Sequence, residues 1–325
     1  MSQPKRLGSA GAAAPESPAV SIIMPTYNRA AYVGEAIDHL LELDGPAGGY
    51  EVIVVDDGSR DSTPDVLARY ATGTGAPGRG AASAKTPNVQ VLRRVNGGPA
   101  AARNSGIKAS RGAILAFTDD DCRPIKEWLS HLIAALESSD AAGVGGRTIP
   151  ASADSLVSRF VARRHVSELP KAVDGEVRWL VTCNAAFRRD ALLAIDGFDE
   201  SYPGPGGEDT DLCSRLRGAG YHLGVAPDAL VRHDHTWRSV RQFADTWYRY
   251  GRGDARHLRR DAERLRPMRR LGSDLRYLST IGRNLRIDLK DGIARREAMA
   301  YAGLDLLRRA SKTVGLLRAY PRSSG

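Results

Sequence analysis

The chain has 325 residues, with 47 Lys and Arg against 38 Asp and Glu for a formal net charge of +9. That length suits one large α/β domain, or one domain with a helical appendage, with ample chain for a buried core. Its three cysteines, Cys122, Cys183 and Cys213, are too few and too widely spaced for a disulfide or zinc framework, and they read as the reduced thiols of a cytoplasmic protein. No apolar run approaches the roughly 20 residues needed to span a bilayer.

In chain order, Met1 to Pro18 lacks the apolar middle of a signal peptide and reads as a disordered leader. Val20 to Met24 is a short β-branched run stopped by Pro25, the pattern of a buried parallel strand. Arg29 to Leu43 sets Val33, Ala36, Ile37, Leu40 and Leu41 at helical spacing. Glu51 to Val55 predicts a second strand that runs into Asp56-Asp57-Gly58-Ser59, and Ser62 to Asp65 opens a helix with Pro64 near its first turn. Ala71 to Pro87 is rich in Gly, Ala, Ser, Thr and Pro and reads as a flexible surface insertion.

Val89 to Leu92 resumes as a strand, and Asn96-Gly97-Gly98-Pro99 turns into a helix over Ala100 to Ala109. The next strand, Ala113 to Phe117, delivers Thr118-Asp119-Asp120-Asp121. Alternating strands and helices predict a doubly wound parallel sheet. Three strands then end in polar or acidic residues at their carboxyl ends, where open α/β sheets bind ligands.

Adjacent anions repel one another, so three carboxylates after a strand call for a cation. Hard divalent ions such as Mg²⁺ or Mn²⁺ take carboxylate oxygens and keep positions for phosphate oxygens, which points to a diphosphate substrate. An isolated Asp-Asp-Asp would better suit a helix N-terminus, and what favours the cation here is the company the triad keeps.

Five blocks in order carry a resemblance: Ser21 to Arg29, Val54 to Ser59, Ala102 to Gly106, Phe117 to Asp121 and Gly206 to Leu212. Over about residues 20 to 240 the chain resembles the inverting GT-A glycosyltransferases of family 2. The resemblance implies a GT-A fold, a Rossmann-like α/β architecture with a mostly parallel sheet flanked by helices. It implies a catalytic domain over 19–240, with a nucleotide-sugar donor half at 19–122 and an acceptor half at 123–240. Residues 241–325 would form a basic helical extension.

The same resemblance assigns the site. Pro25, Thr26 and Tyr27 would sit under the nucleotide base, Arg29 would join the donor site, and Asp57 would accept the base's ring N–H. Arg103 would contact a phosphate or a base edge, with a solvated surface charge as the alternative. Asp119 would serve the ribose and the metal's waters, Asp120 would be the spacer, and Asp121 would hold Mn²⁺ or Mg²⁺ directly. A further metal ligand would be His233, or else His235, with a surface histidine as the competing reading for either.

In the acceptor half, Trp179 to Arg189 is expected as an apolar strand ending in Arg, and Gly204 to Gly207 as a flexible lead into a helix carrying Leu212, Leu216 and Ala219. Glu208 and Asp209 then sit at a helix N-terminus, where capping alone is worth ~1 kcal/mol. The family reading makes Asp209 the general base for the acceptor hydroxyl, with Glu208 positioning the acceptor or capping the helix. One base and a metal-held leaving group imply in-line displacement with inversion. Glycosidases instead flank their bond with two carboxylates.

Neither a Rossmann dinucleotide fingerprint nor a Walker lysine motif occurs. A sugar-phosphate nucleotidyltransferase or phosphotransferase, and a non-catalytic nucleotide-sugar-binding scaffold, are the alternatives. From Arg238 the chain turns basic: arginines from Arg241 to Arg270 alternate with Phe243, Trp247, Tyr248 and Tyr250, and a second basic amphipathic stretch runs from Ile281 to Leu317. A solvated helical cap, a surface for anionic lipids at the inner membrane face, and a funnel for an anionic acceptor compete for this region. No recognised nucleic-acid module accompanies the charge.

Overall fold

A computed structural model describes residues 17–71, 88–164, 177–202, 204–234, 239–260 and 268–319. Nearly all of the expected leader and all but Ala71 of the expected insertion lie outside these residues, as does His235. The first strand, β1 (Val20–Thr26), pairs in parallel with β2 (Tyr50–Asp56) and β4 (Ile114–Thr118), and β3 (Asn88–Arg93) extends the sheet in parallel beyond β2.

Successive strand residues point to opposite faces. Val20, Ile22 and Met24 therefore pack with α1 (Val33–Leu41) and α4 (Trp128–Glu137) on one side of the sheet. Ile23 packs on the other side in the cluster shared by α3 (Pro99–Ala109), α6 (Arg189–Ala194) and α7 (Glu208–Gly218). These β1 side chains have no exposed surface. Full burial of each stabilises by roughly 1.5–3 kcal/mol. α3 lies close on β1 because Gly106 has no Cβ, which would meet Ile23 Cγ2 at 2.5 Å.

Two predicted boundaries shift. β1 does not stop at Pro25 but runs to Thr26, with Pro25 opposite Val55. Its pairing with β4 ends at Ile23, so the missing N–H of Pro25 breaks no ladder bond. The helix predicted from Arg29 begins only at Val33. Asn28 adopts a left-handed φ of 53°, and the Arg29 N–H donates to Thr63 Oγ1 at 2.8 Å in α2 (Thr63–Ala71), which ties that turn down outside the helix.

The second half adds β5 (Cys122–Pro124), β6 (Gly143–Pro150), β7 (Asn184–Arg188) and β8 (Leu223–His233), giving an eight-stranded order β3-β2-β1-β4-β7-β6-β8-β5. β7 runs antiparallel between β4 and β6, whereas β8 is parallel to β6. The strand predicted over 179–189 is thus confined to Asn184–Arg188. The residues just before it turn their polar atoms to α7 instead, with Leu180 N–H on Cys213 Sγ and Thr182 on Asp209. In α7, Leu212 and Leu216 are buried as predicted, but Ala219 caps the helix and is exposed.

Helices α8 (Val240–Arg260), α9 (Met268–Lys290) and α10 (Arg295–Ala319) follow the sheet and pack with α5 (Leu156–Arg164). Phe160, Phe243, Tyr301 and Leu304 form the apolar centre of this layer. Two fully desolvated acids lock its rim: Asp288 accepts from Arg163 and Arg164, and Asp305 from Arg164. α8 and α10 cross closely because Gly251 faces the Lys312 carbonyl and Gly315 the Tyr248 carbonyl, leaving no room for side chains there.

Candidate active site

The carboxyl ends of β1, β2 and β4 and the end of β8 open into one cavity of about 510 Å³. Pro25, Thr26, Tyr27, Arg29, Asp57, Arg103, Asp119, Asp120, Asp121 and His233 all line it. Parallel strands from a doubly wound sheet put their carboxyl-end loops on one edge, which is why residues far apart in sequence meet here. Tyr27 lines the cavity and keeps 43% of its surface exposed.

Three carboxylates crowd this edge, and Arg29 reaches two of them, with Nε 3.5 Å from Asp120 Oδ1 and Nη2 3.6 Å from Asp121 Oδ2. Asp120, expected as the spacer, is buried. Burial, then repulsion from Asp121, push its carboxyl up to about 7 despite the pull of Arg29. His233 Nε2 lies 3.0 Å from Asp121 Oδ1. Burial alone would lower the His233 pKa, but Asp121 and Cys183 hold it well above its ordinary value. The carboxylate oxygens of Asp120 and Asp121 beside the His233 ring nitrogen form a donor set that fits a divalent cation.

Asp57 is buried, and its carboxylate gathers the turn after β3: Arg94 Nη1 at 2.6 Å, Gly98 N–H at 2.7 Å, Asn96 Nδ2 at 3.1 Å and Gly97 N–H at 3.1 Å. Its neighbour Asp56 makes the local turn, accepting from Ser59 N–H at 2.8 Å. Arg103 is no solvated surface charge. It is 4% exposed, with Nη2 2.9 Å from Asp119 Oδ1 and Nη1 3.2 Å from Glu208 Oε1. Burial opposes its charge, yet Asp119, Asp209 and Glu208 together keep it protonated.

Glu208 and Asp209 open α7 behind Arg103, where Gly207 takes a left-handed φ of 99° that a side chain would strain. Burial and repulsion from Asp209 raise the Glu208 carboxyl to about 7, and Gly206 N–H donates to it at 2.6 Å. Asp209 accepts twice from Thr182, from Oγ1 at 2.7 Å and from N–H at 3.2 Å. Burial raises its pKa as well, against Arg103 and Thr182.

Several site residues escaped the sequence reading. Thr246, Arg249 and Tyr250 of α8 wall the cavity, so the first half of the basic tail is not a solvated cap. The Tyr250 ring packs on Gly206, and Gly253 sits directly against the Gly206 carbonyl. The alternation of aromatic and cationic residues from Trp247 to Arg252 was the available signal. Thr182, the clamp on Asp209, carried none. Beneath Asp121, the Cys183 thiol lies with Cys122 and His233 and is pulled down to about 6, first by its hydrogen bond from Cys122.

The chain is similar to several known proteins. The chain is 28% identical over 242 residues to glycosyltransferase AglE of Haloferax volcanii, covering 73% of each protein. It is 30% identical over 225 residues to the pre-mycofactocin glycosyltransferase of Mycobacterium tuberculosis, covering 66% of this chain and 43% of that one. The chain thus spans about half the length of some of its relatives. A solved mannosyltransferase of Pyrobaculum calidifontis, in complex with GDP-Man and Mn²⁺, superposes with a TM-score of 0.59 at 20% identity, over 94% of this chain and 87% of that one, and shares the GT-A fold. The profile named Glycosyl transferase family 2 matches residues 21–195, and that of Glycosyl transferase family group 2 matches 114–298. With more than half of its residues inside the first profile, the chain belongs to glycosyl transferase family 2.

Proposed function

We propose that this protein is a metal-dependent, inverting glycosyltransferase that moves a sugar from a nucleoside diphosphate to an acceptor hydroxyl. The observation that best supports this reading is the gathering of Asp119, Asp120, Asp121 and His233 in the cavity bounded by Pro25, Tyr27 and Asp57. The Pyrobaculum calidifontis relative carries GDP-Man and Mn²⁺, a ligand pair of the class this cavity would take.

Pro25, Thr26 and Tyr27 would hold the base by stacking and backbone contacts, and Asp57 would both shape the neighbouring turn and face the base. Asp119, fixed by Arg103, would meet the ribose. Asp121 and His233 would hold Mn²⁺ or Mg²⁺, whose bound charge offsets that developing on the leaving diphosphate. Arg29 adds a second cation at the same edge. Asp209, ionised and oriented by both Thr182 donors, takes the acceptor proton as the hydroxyl oxygen attacks the anomeric carbon. The bond from that carbon to the diphosphate breaks as the new one forms, so configuration inverts. Glu208 would position the acceptor side through Arg103 and Gly206.

The same reading extends to location. Met299, Leu306, Val314 and Leu317 are all exposed on α10 and fall within roughly 80° of one another around the helix. Exposed Arg295, Arg296 and Arg318 flank this stripe, and Arg283, Arg286 and Lys290 are exposed on α9. Among the described residues no helix is long and apolar enough to cross a membrane. An apolar stripe edged by cations suits the interface of an anionic bilayer, and three reduced thiols suit its cytoplasmic side.

The test is a thermal-shift screen of UDP-, GDP- and dTDP-sugars with and without Mn²⁺, since a ligand that binds only the folded state raises its melting temperature. One donor should stabilise the protein in a Mn²⁺-dependent way. No stabilisation by any nucleotide sugar in either condition would overturn the assignment.

A further inference from the structure

Next to the acid cluster, two cysteines that the transfer reaction leaves unused, Cys122 and Cys183, come together with His233. Cys122 is the cross-strand partner of His233 in the antiparallel β5–β8 pair. Opposed residues in such a pair carry their side chains on the same face. Cys183, at the entrance to β7, approaches from the neighbouring part of the sheet, and its sulfur, the Cys122 sulfur and a His233 ring nitrogen all lie within 4.8 Å of one another. Both sulfurs are free thiols on residues only 2% and 3% exposed. Asp121 Oδ1 borders the group, 3.9 Å from Cys122 Sγ and 3.0 Å from His233 Nε2.

We propose that Cys122, Cys183 and His233 form a second metal site, selective for a thiophilic divalent ion of the Zn²⁺ class. Ligand atoms around tetrahedral Zn²⁺, with bonds of about 2.0–2.3 Å, stand roughly 3.5–3.8 Å apart, so small side-chain rotations bring this group to bonding geometry. Charge favours it too. Two thiolates, a neutral imidazole and a divalent ion sum to zero, the state least penalised by burial. The protons carried by the thiols, and the one a protonated His233 gives up from its ligating nitrogen, leave to solvent as the metal–sulfur and metal–nitrogen bonds form. A fourth position would fall to Asp121 or to water from the cavity.

Donor chemistry separates this site from the carboxylates above it. Thiolate sulfur selects Zn²⁺ and its relatives, whereas Mg²⁺ and Mn²⁺ prefer the oxygens of Asp119, Asp120 and Asp121. His233 belongs to both groups. A thiophilic ion below would therefore draw His233 from the acid cluster, and micromolar Zn²⁺ would antagonise Mn²⁺ instead of replacing it. The antagonism with Mn²⁺ rests on the proposed transferase reading, whereas the thiolate site itself rests on the grouping of Cys122, Cys183 and His233.

The test is to titrate the reduced, metal-stripped full-length protein with Co²⁺ and follow thiolate-to-cobalt charge-transfer absorption. One equivalent should develop the band, Zn²⁺ should abolish it, and Mn²⁺ should not. Cys122→Ser and Cys183→Ser should lose it, while Cys213→Ser, which alters the third buried thiol outside the group, should keep it. Should the serine variants fail to fold, alkylation of the wild-type protein read by mass spectrometry gives the same answer. Zn²⁺ should slow modification of Cys122 and Cys183 but not of Cys213. Absence of the band in folded wild-type protein at saturating Co²⁺, or equal alkylation of all three thiols with and without Zn²⁺, would overturn the proposal, whatever the outcome of any transferase assay.

Discussion

Arg103 and Glu208 stand 105 positions apart in the chain, yet Nη1 of one lies 3.2 Å from Oε1 of the other, both buried. Through this bond α3, which carries the donor-side arginine, is fastened to α7, which carries the proposed base. Arg103 also reaches Asp119 at 2.9 Å, so one guanidinium aligns acids from both halves of the site.

Removing that guanidinium strands the buried Glu208 carboxylate. Arg103→Ala should destabilise the protein by about 3–5 kcal/mol, the scale for breaking a buried ion pair from one side. Arg103→Lys should recover only part, since an ammonium cannot reach two acids with a planar fork. Urea denaturation of the three proteins measures the difference.

Asp209→Asn preserves size but halves the acceptor capacity that Thr182 uses, and it removes the basic function. Turnover should fall by about 10²-fold or more with donor affinity nearly unchanged. Steady-state kinetics with any acceptor the wild-type protein glycosylates, beside donor titration, reads both. Turnover within a few-fold of wild type would mean that the proton goes elsewhere.

Asp121→Ala should abolish Mn²⁺-dependent donor binding while the fold survives, because it removes the carboxylate that faces His233. His233→Ala should weaken Mn²⁺ binding less severely, because the carboxylate oxygens that this hard ion prefers remain. Isothermal titration with Mn²⁺ alone separates these outcomes from effects on catalysis.

Stability should depend on pH through Glu208, whose pKa rises from 4.5 to about 7 in the folded state. The folded state holds this proton more tightly than the unfolded chain, so the contribution is complete below about 4.5 and is withdrawn as pH rises through about 7. Glu208→Gln removes the titration. Its melting temperature relative to wild type should therefore increase from pH 5 to pH 8, and a constant or falling difference would contradict the shift.

The exposed stripe of α10 predicts salt-sensitive co-sedimentation with vesicles containing anionic lipid. A Met299→Ser, Leu306→Ser, Leu317→Ser variant should lose vesicle binding at low salt while retaining Mn²⁺-dependent donor binding. Equal recovery of variant and wild type with the vesicles would remove the membrane reading of this face.

Much of the donor side was legible from sequence because it is local. β-branched runs such as Ile22-Ile23 and Val52 to Val55 mark buried strands by themselves, and the acids that follow them must lie at strand ends. That logic placed Asp57 and Asp119 to Asp121 on one edge before any tertiary contact was known. The breaks in the pattern were local too, but their meaning was not: Pro25 continues β1 only because pairing with β4 has already ended.

What the tertiary structure decided are relationships between residues whose spacing carries no period. Arg103 meets Glu208, Thr182 orients Asp209, and Tyr250 reaches the cavity only because the sheet continues from β4 through β7, β6 and β8 and α8 comes back to Gly206. The cysteines make the same point. Their wide spacing argued against a metal framework, yet strand pairing sets Cys122 across from His233 and brings Cys183 beside both. Linear spacing measures distance along the chain, and a mixed sheet with long crossovers erases that measure.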